Sequence, residues 1–220
     1  MHAGKFIVRI PAGLFVLAVL PIAIGCRSAP NPQGDVPKNE RMIARGDLAG
    51  LRSQVRLLEA RIRRLETSIS RSYPGSPVIL IDTSKSRIAM MLGTRVIVEG
   101  TCSGGSGMEL ADAAGKRTWT FDTPRGHFRV LGKVADPVWI RPDWSFIEEG
   151  EPIPKNYSQR AMANVLGDYA IAFGDGYYIH GTLYTRLLGS NVTHGCIRVD
   201  DKVLKKLYQA AQAGTHIWIY

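Results

Sequence analysis

The strongest constraint on this chain lies between Leu48 and Ile69. Leu48, Leu51, Val55, Leu58, Ile62, Leu65 and Ile69 recur at intervals of 3, 4, 3, 4, 3 and 4. Only a helix brings such positions to one side, and the strict alternation gives the narrow stripe of a coiled-coil seam. Leu48, Val55, Ile62 and Ile69 fall at a, with Leu51, Leu58 and Leu65 at d. Mostly β-branched a positions with leucine at d favour a parallel pair. Asp47 and Arg61 at g would then face Arg52 and Glu66 at e of a second copy. Residues 47–72 are therefore expected to form a coiled-coil helix, with a parallel homodimer through 48–69. Three heptads are marginal for an isolated coil, and a single amphipathic helix laid on the chain's own folded domain or on a membrane is the alternative. The run RSYPGSP (71–77) stops the helix and separates it from the C-terminal two thirds of the chain.

Upstream, Lys5 and Arg9 precede an apolar stretch, Ile10 to Ile24, broken by Pro11, Gly13 and Pro21. It is short for a membrane span and has the layout of an export signal. It ends Ala23-Ile24-Gly25-Cys26, which resembles the lipobox of bacterial lipoproteins, with Ala23 where leucine is usual. The resemblance implies removal of residues 1–25 as a signal peptide and a lipid anchor on Cys26; an uncleaved anchor or a plain secretory signal are the other readings. All three export the remainder. Arg27 lacks the aspartate associated with inner-membrane retention, so an outer-membrane anchor is mildly favoured in a diderm host. Residues 26–46 include RSAPNPQGDVPKN, nearly free of large apolar side chains, and read as a flexible tether.

The net charge of +9 is unevenly spread. Without Lys5 and Arg9 it is +7, and Glu40 to Ser72 carries eight arginines against four acidic residues. From Pro77 to Tyr220, sixteen basic residues meet fourteen acidic ones, a net +2. The basic excess belongs to the arm. Export disfavours nucleic acid as its partner and favours anionic envelope polymers or lipid headgroups. With Cys26 lipidated, Cys102 and Cys196 are too few for a disulfide scaffold, so a hydrophobic core must hold the domain.

Residues 77–220 have the size of one domain. Strand-like runs occupy Val78–Asp82, Ile88–Leu92, Arg95–Gly100, Gly126–Leu131, Tyr169–Phe173, Tyr177–His180 and Thr215–Tyr220, with glycine- and proline-marked turns between them. One helix is clear, Asp201–Ala213, with Asp200 as N-cap, Leu204, Leu207, Tyr208 and Ala211 as its apolar stripe, and Gly214 beyond its end. The expected fold class is mainly β, a sandwich or barrel with a C-terminal helix, preceded by the coiled-coil helix. Residues 136–168, with Trp139, Trp144 and Glu148-Glu149-Gly150-Glu151, are longer than a routine loop and suit a lid or cleft wall.

The chemistry concentrates in YYIHGTLYTRLLGSNVTHGCIRV, residues 177–199. A thiol is mostly protonated near neutral pH and needs an imidazole to take its proton and an acceptor to fix the imidazole's tautomer. His180 ends a strand, a rigid place for a base, and Gly181 leaves its carbonyl accessible as orienter. Gly195, just before Cys196, lets a substrate carbonyl approach, and the N–H groups of Gly195 and Cys196 could serve an oxyanion. A buried structural thiol and a zinc site using His180, His194 and Cys196 are the competing readings; zinc lacks a fourth ligand. Cys102 reads as a small packed residue rather than a redox partner of Cys196.

These residues resemble the active-site motif of the L,D-transpeptidases, the YkuD-type catalytic domain: a histidine, a loop, then Ser/Thr-His-Gly-Cys, a hydrophobic residue, and Asn or Arg. TPRGHFRVLGK (123–133), NVLGDYAIAFGDGYYIHGT (164–182) and the final helix with GTHIWIY extend the likeness over 77–220. The resemblance implies Cys196 as nucleophile, His180 as general base, the Gly181 carbonyl as its orienter and His194 as a site-lining residue supporting substrate or oxyanion. Thr193 and Arg198 would shape the substrate site, Arg198 meeting a carboxylate. No metal or cofactor is implied. The family's reaction forms a thioester with a peptidoglycan stem tetrapeptide, releases D-alanine, and passes the acyl group to an amine, making a 3→3 crosslink or attaching protein. Twelve residues separate His180 from Thr193, slightly fewer than the usual spacing, which bears on the acceptor side. A carboxypeptidase or amidase, or a non-catalytic wall-tethering lipoprotein, are the rival functions.

Overall fold

The structure, a computed structural model, describes the backbone of residues 38–182 and 185–220. The expected signal peptide, Cys26 and most of the tether lie outside the described residues. Helix α1 (Lys38–Arg71) leads into a three-stranded meander, β1 (Val78–Asp82), β2 (Arg87–Leu92) and β3 (Arg95–Ser103). A small hairpin, β4 (Glu109–Ala111) with β5 (Thr118–Thr120), precedes β6 (Gly126–Arg129) and β7 (Gly132–Ala135). Then come β8 (Val138–Ile140), the short helix α2 (Asp143–Glu148) and β9 (Ala161–Ala163), with β9 paired to β8. The chain closes with β10 (Tyr169–Gly174), β11 (Tyr177–His180), β12 (Ile197–Val199), α3 (Asp201–Ala210) and β13 (His216–Ile219).

Nine strands form one sheet in the order β6-β13-β1-β2-β3-β12-β11-β10-β7. β6 and β7 stand at opposite ends of that order, yet only Val130 and Leu131 separate them in the chain. Val130 donates to Thr215 O beside β13, and Leu131 donates to Ala172 O in β10. The sheet must therefore curl until its two edges meet, which resolves the expected sandwich or barrel into a curled, nearly closed sheet. α3 fills the concave side with Leu204, Leu207 and Ala211, against Ile79, Ile81, Ile88, Met90, Ile171, Ile179 and Ile197. Burying such a set is the main source of stability for a domain without disulfides.

All seven expected strands are present, with their ends shifted by up to three residues. α3 stops at Ala210, three residues early. Ala211 is already extended, Lys133 Nζ takes the carbonyls of Tyr208 and Ala211 at 2.6 and 2.7 Å, and Gln212 N–H donates to Thr215 Oγ1. A lysine from another strand supplies the C-terminal cap that glycine was expected to give. The 136–168 segment is structured rather than loop: it holds the β8–β9 hairpin and α2 between them.

α1 departs most from expectation. Every residue of β1 is buried, because its outer side, Val78 and Leu80, is covered by Ile69 and Tyr73 at the helix end together with Trp218. Glu66 is 5% exposed, accepts from Arg87 Nη1 at 2.7 Å and from the Tyr220 hydroxyl, while Glu59 meets Lys85 at 2.9 Å. Glu66, expected to face Arg61 of a second copy, is thus consumed within its own chain. The a positions Ile62 and Ile69 are half-buried, whereas Leu48, Leu51, Val55, Leu58 and Leu65 are exposed.

Candidate active site

The site is built on the β11–β12 pair. These strands run parallel, with Ile179 opposite Ile197 and His180 opposite Arg198. Side chains alternate along a strand, so His180, Arg198 and, two residues before it, Cys196 share one side, while Ile179 and Ile197 point to the core. A parallel pair needs a long crossover, and residues 181–196 provide it, returning the chain with Thr193-His194-Gly195-Cys196 at its end. His180, Thr193, His194, Cys196 and Arg198 all line one cavity of about 630 Å³. The structure brings together every site residue expected from the motif that carries a side chain, Cys26 lying outside the described residues.

His180 is buried, and its Nδ1–H donates to Gly181 O at 2.7 Å. That bond fixes the tautomer with Nε2 unprotonated. Burial pulls its pKa from 6.5 down to about 4, with the Arg198 charge adding to the fall, while the carbonyls of Gly181 and Leu166 oppose it. Burial likewise raises the Cys196 thiol, against the pull of a Tyr178 backbone hydrogen bond and the Arg198 charge. Arg198 is itself lowered by burial and held up by Cys196. Both groups thus rest uncharged at neutral pH, and the two influences that favour a thiolate are already in place.

The turn before Cys196 is held by hydroxyls. Thr193 Oγ1 donates to Cys196 O at 2.6 Å and accepts from the Gly195 N–H at 3.2 Å. The Gly195 N–H, expected to face an oxyanion, is therefore engaged inside the turn. Gly195 has φ +120, and a Cβ there would sit 2.7 Å from Tyr177 Cε1 and 2.9 Å from Asp122 O, so only glycine fits. Thr123 Oγ1 donates to Gly195 O at 2.9 Å and accepts from Gly105 N–H at 2.8 Å, tying the Thr-Pro segment to the nucleophile turn. Thr193 backbone groups bond Gly104 and Ser106, which fixes the turn from the other flank.

The 136–168 segment forms one wall. Trp139, Ile140, Pro142 and Trp144 line the cavity, and α2 is anchored by Asp143, which accepts from Arg117 and Arg160 at 2.8 Å each. His194 stacks on Trp144 with ring centres 4.3 Å apart, meets the edge of Phe121 at 4.4 Å, and shares a 2.8 Å hydrogen bond with Glu148. Sequence reasoning found the acidic cluster and the tryptophans but not their partner, since nothing local links Glu148 to a residue 46 positions away. It also passed over Thr123, whose bonds to Gly195 and Gly105 exist only in three dimensions. Cys102 is buried in the core on β3, its thiol pushed up to about 12 by burial and by Asp82, and it and Cys196 are both free.

Comparison with known proteins agrees with this geometry. Residues 76–219 match the YkuD family, the L,D-transpeptidase catalytic domain. A putative L,D-transpeptidase of Bacillus subtilis, YqjB, is 31% identical over 153 residues, covering 66% of this chain and 72% of the relative. A probable L,D-transpeptidase of Escherichia coli, YbiS, is 32% identical over 92 residues, which is 40% of this chain and only 30% of that protein. The crystal structure of an L,D-transpeptidase from Xylanimonas cellulosilytica covers 67% of this chain and 61% of its own length, at 23% identity and a TM-score of 0.48. With the family match spanning the whole folded domain, this chain belongs to the YkuD family of L,D-transpeptidase catalytic domains.

Proposed function

We propose that the protein is a peptidoglycan L,D-transpeptidase in which Cys196 forms a thioester with the donor stem. The observation that carries this reading is the common side of the β11–β12 pair: Cys196, His180 and Arg198 open into one cavity, and His180 is already in the tautomer a general base needs. The thiol attacks the carbonyl of the third stem residue as His180 Nε2 takes its proton. His180 returns that proton to the departing amine of D-alanine. An incoming amine then attacks the thioester, His180 takes its proton, and the thiol is regenerated. The oxyanion is met by the Cys196 N–H, with the Gly195 N–H joining only if it leaves Thr193 Oγ1. Arg198 favours the thiolate and offers a cation to a substrate carboxylate; Thr193 sets the turn and His194 lines the donor side.

The rest of the reading concerns the arm. Cys26 carries a lipid anchor after removal of residues 1–25, the domain faces the periplasm, and the outer membrane is the favoured surface. A parallel pairing of α1, if it forms, is confined to the exposed residues Leu48 to Leu58, because Glu66 and Ile69 serve the chain's own domain.

Incubating the protein lacking residues 1–25 with purified tetrapeptide muropeptides tests the proposal. A crosslinked dimer, a trimmed tripeptide and unchanged substrate differ in mass, and they correspond to transpeptidase, hydrolase and a non-catalytic tether. Undiminished turnover by Cys196→Ala would sink the thioester mechanism.

A further inference from the structure

The peptide unit after His180 has a second partner. Its carbonyl is Gly181 O, which accepts from His180 Nδ1–H at 2.7 Å. Its N–H belongs to Thr182 and donates to the carboxylate of Asp201 in the first turn of α3. One planar group thus has the imidazole on its oxygen and an anion on its hydrogen. The contact is tight: a Cβ on Gly181 would lie 2.2 Å from Asp201 Oδ1, and one on Gly167 would lie 3.1 Å from the same atom and 2.9 Å from Gly181 Cα. Two glycines therefore make room for this carboxylate. The Gly181 N–H, in the peptide before it, is fixed on Leu166 O at 2.8 Å.

Resting on the thioester mechanism, we propose that Asp201 is a positioning residue that strengthens His180 as a base through the Gly181–Thr182 peptide. An anion on the N–H end polarises the amide and makes its carbonyl a stronger acceptor, and hydrogen bonds in such chains reinforce one another. The stronger acceptor stabilises the imidazolium that appears when Nε2 takes the thiol proton. Asp201 gains no proton; Nδ1–H stays on His180 throughout. This gives the site the charged third member that a backbone carbonyl alone lacks. The charged groups facing the relay are few. Asp168, before β10, and Asp200, on α3 itself, raise Asp201 along with burial, and Arg198 on β12 opposes charge on His180.

The test is the rate of Cys196 alkylation by iodoacetamide as a function of pH, read by mass of the modified peptide on the full chain in detergent. Near pH 7 the reactive species is the thiolate–imidazolium pair, whereas at alkaline pH the thiol ionises unaided. Asp201→Asn still accepts from Thr182 but carries no charge. Its neutral-pH rate should fall roughly tenfold, the scale of one charge-assisted hydrogen bond, with the alkaline limb unchanged. Asp200→Asn removes the same charge from the same helix end without touching the peptide and should stay within about twofold of the parent. Asp201→Ser repeats the comparison should the asparagine variant not fold, as judged by circular dichroism. An unchanged neutral rate, or an equal fall at all pH values, would overturn the relay, the latter marking a structural role. Muropeptide turnover by the parent is run alongside. A parent inactive on muropeptides refutes the thioester reading while the alkylation profile still decides the relay.

Discussion

Replacing Glu66 by alanine probes the join between the helical arm and the domain. The Glu66 carboxylate is buried and bridges two groups that lie far away in sequence, Arg87 on β2 and the hydroxyl of the C-terminal Tyr220. A hydrogen bond to a charged group contributes about 1.5–3 kcal/mol net. Arg87 keeps Glu99 on β3 as a partner, so its part of the loss lies at the low end. Tyr220 has its hydroxyl in a half-buried position and loses the acceptor outright. Together these give a loss of about 2–4 kcal/mol for Glu66→Ala, a fall in Tm of ~5–15 °C for a domain of this size. Glu66→Gln, which keeps an acceptor for Tyr220, should lose about half as much.

The loss should be regional before it is global, since Ile69, Tyr73 and Trp218 hold the same end of α1 on β1. Amide hydrogen exchange is therefore the informative assay, and protection over residues 59–70 should drop before that of β1 or β10. Pairing the change with Tyr220→Phe in a double-mutant cycle isolates the hydroxyl contact, with an expected coupling of about 1–2 kcal/mol. Unchanged protection of 59–70 and an unchanged denaturation midpoint in Glu66→Ala would refute the reasoning, because the helix would then be held by something other than this carboxylate.

Other perturbations are as direct. Thr193→Val removes the hydroxyl that bonds Cys196 O and Gly195 N–H; stability should fall by about 1–3 kcal/mol and the acylation rate should fall with it, seen by chemical denaturation and by thioester formation. Gly181→Ala drives a methyl into Asp201 Oδ1 and should lower both stability and Cys196 reactivity, measured by melting and alkylation. Cys102→Ala should leave turnover unchanged, and brief alkylation of the parent at neutral pH should mark Cys196 and not Cys102, since burial pushes Cys102 up to about 12. His180 is depressed from 6.5 to about 4, so the unfolded chain binds its proton first as pH falls. The His180 contribution should drop from about pH 6.5 to about pH 4 by roughly 3 kcal/mol and level off below, where the lowered carboxylates such as Asp143 take over the slope; His180→Gln should flatten the upper part of the slope, leaving the smaller share of His216, which is lowered by burial and by Arg129 and His127.

What could be seen in the chain beforehand depended on how local each signal is. Strands β1, β2 and β10 are near-continuous runs of apolar residues bounded by turns, and those runs mark them without help. β12 is three residues long, β8 is mostly exposed and β9 is exposed throughout, so pairing alone defines them, and pairing is not written locally. The Cys196, His180 and Thr193 positions were legible because the motif packs them into a short span. Glu148 on His194 and Asp201 on Thr182 were not, since each contact joins elements brought together by the curl of the sheet. The heptad pattern was read correctly as helix, and its seam serves two uses. Ile62 and Ile69 satisfy a coiled-coil register and also suit docking on β1, and the buried Glu66 at e shows which use the C-terminal half of the helix makes of them.

Cys196 and His180, the pair proposed to carry the chemistry, are kept neutral by the same cause, and that bears on how a free thiol persists in the oxidising compartment proposed for it. Oxidation and alkylation follow the thiolate, not the thiol. Burial holds Cys196 protonated and His180 unprotonated, so neither is charged until something changes around them. A Tyr178 backbone hydrogen bond and Arg198 already favour the anion, and Gly181 O already favours the imidazolium. Little reorganisation of the surroundings is then needed when a carbonyl arrives at the sulfur, since the charged forms of both groups have prepared partners. A permanently ionised pair would attack more readily and be oxidised more readily. Placing the stabilising groups around a pair that rests mostly uncharged separates those two properties, because the anion is a minor form at rest.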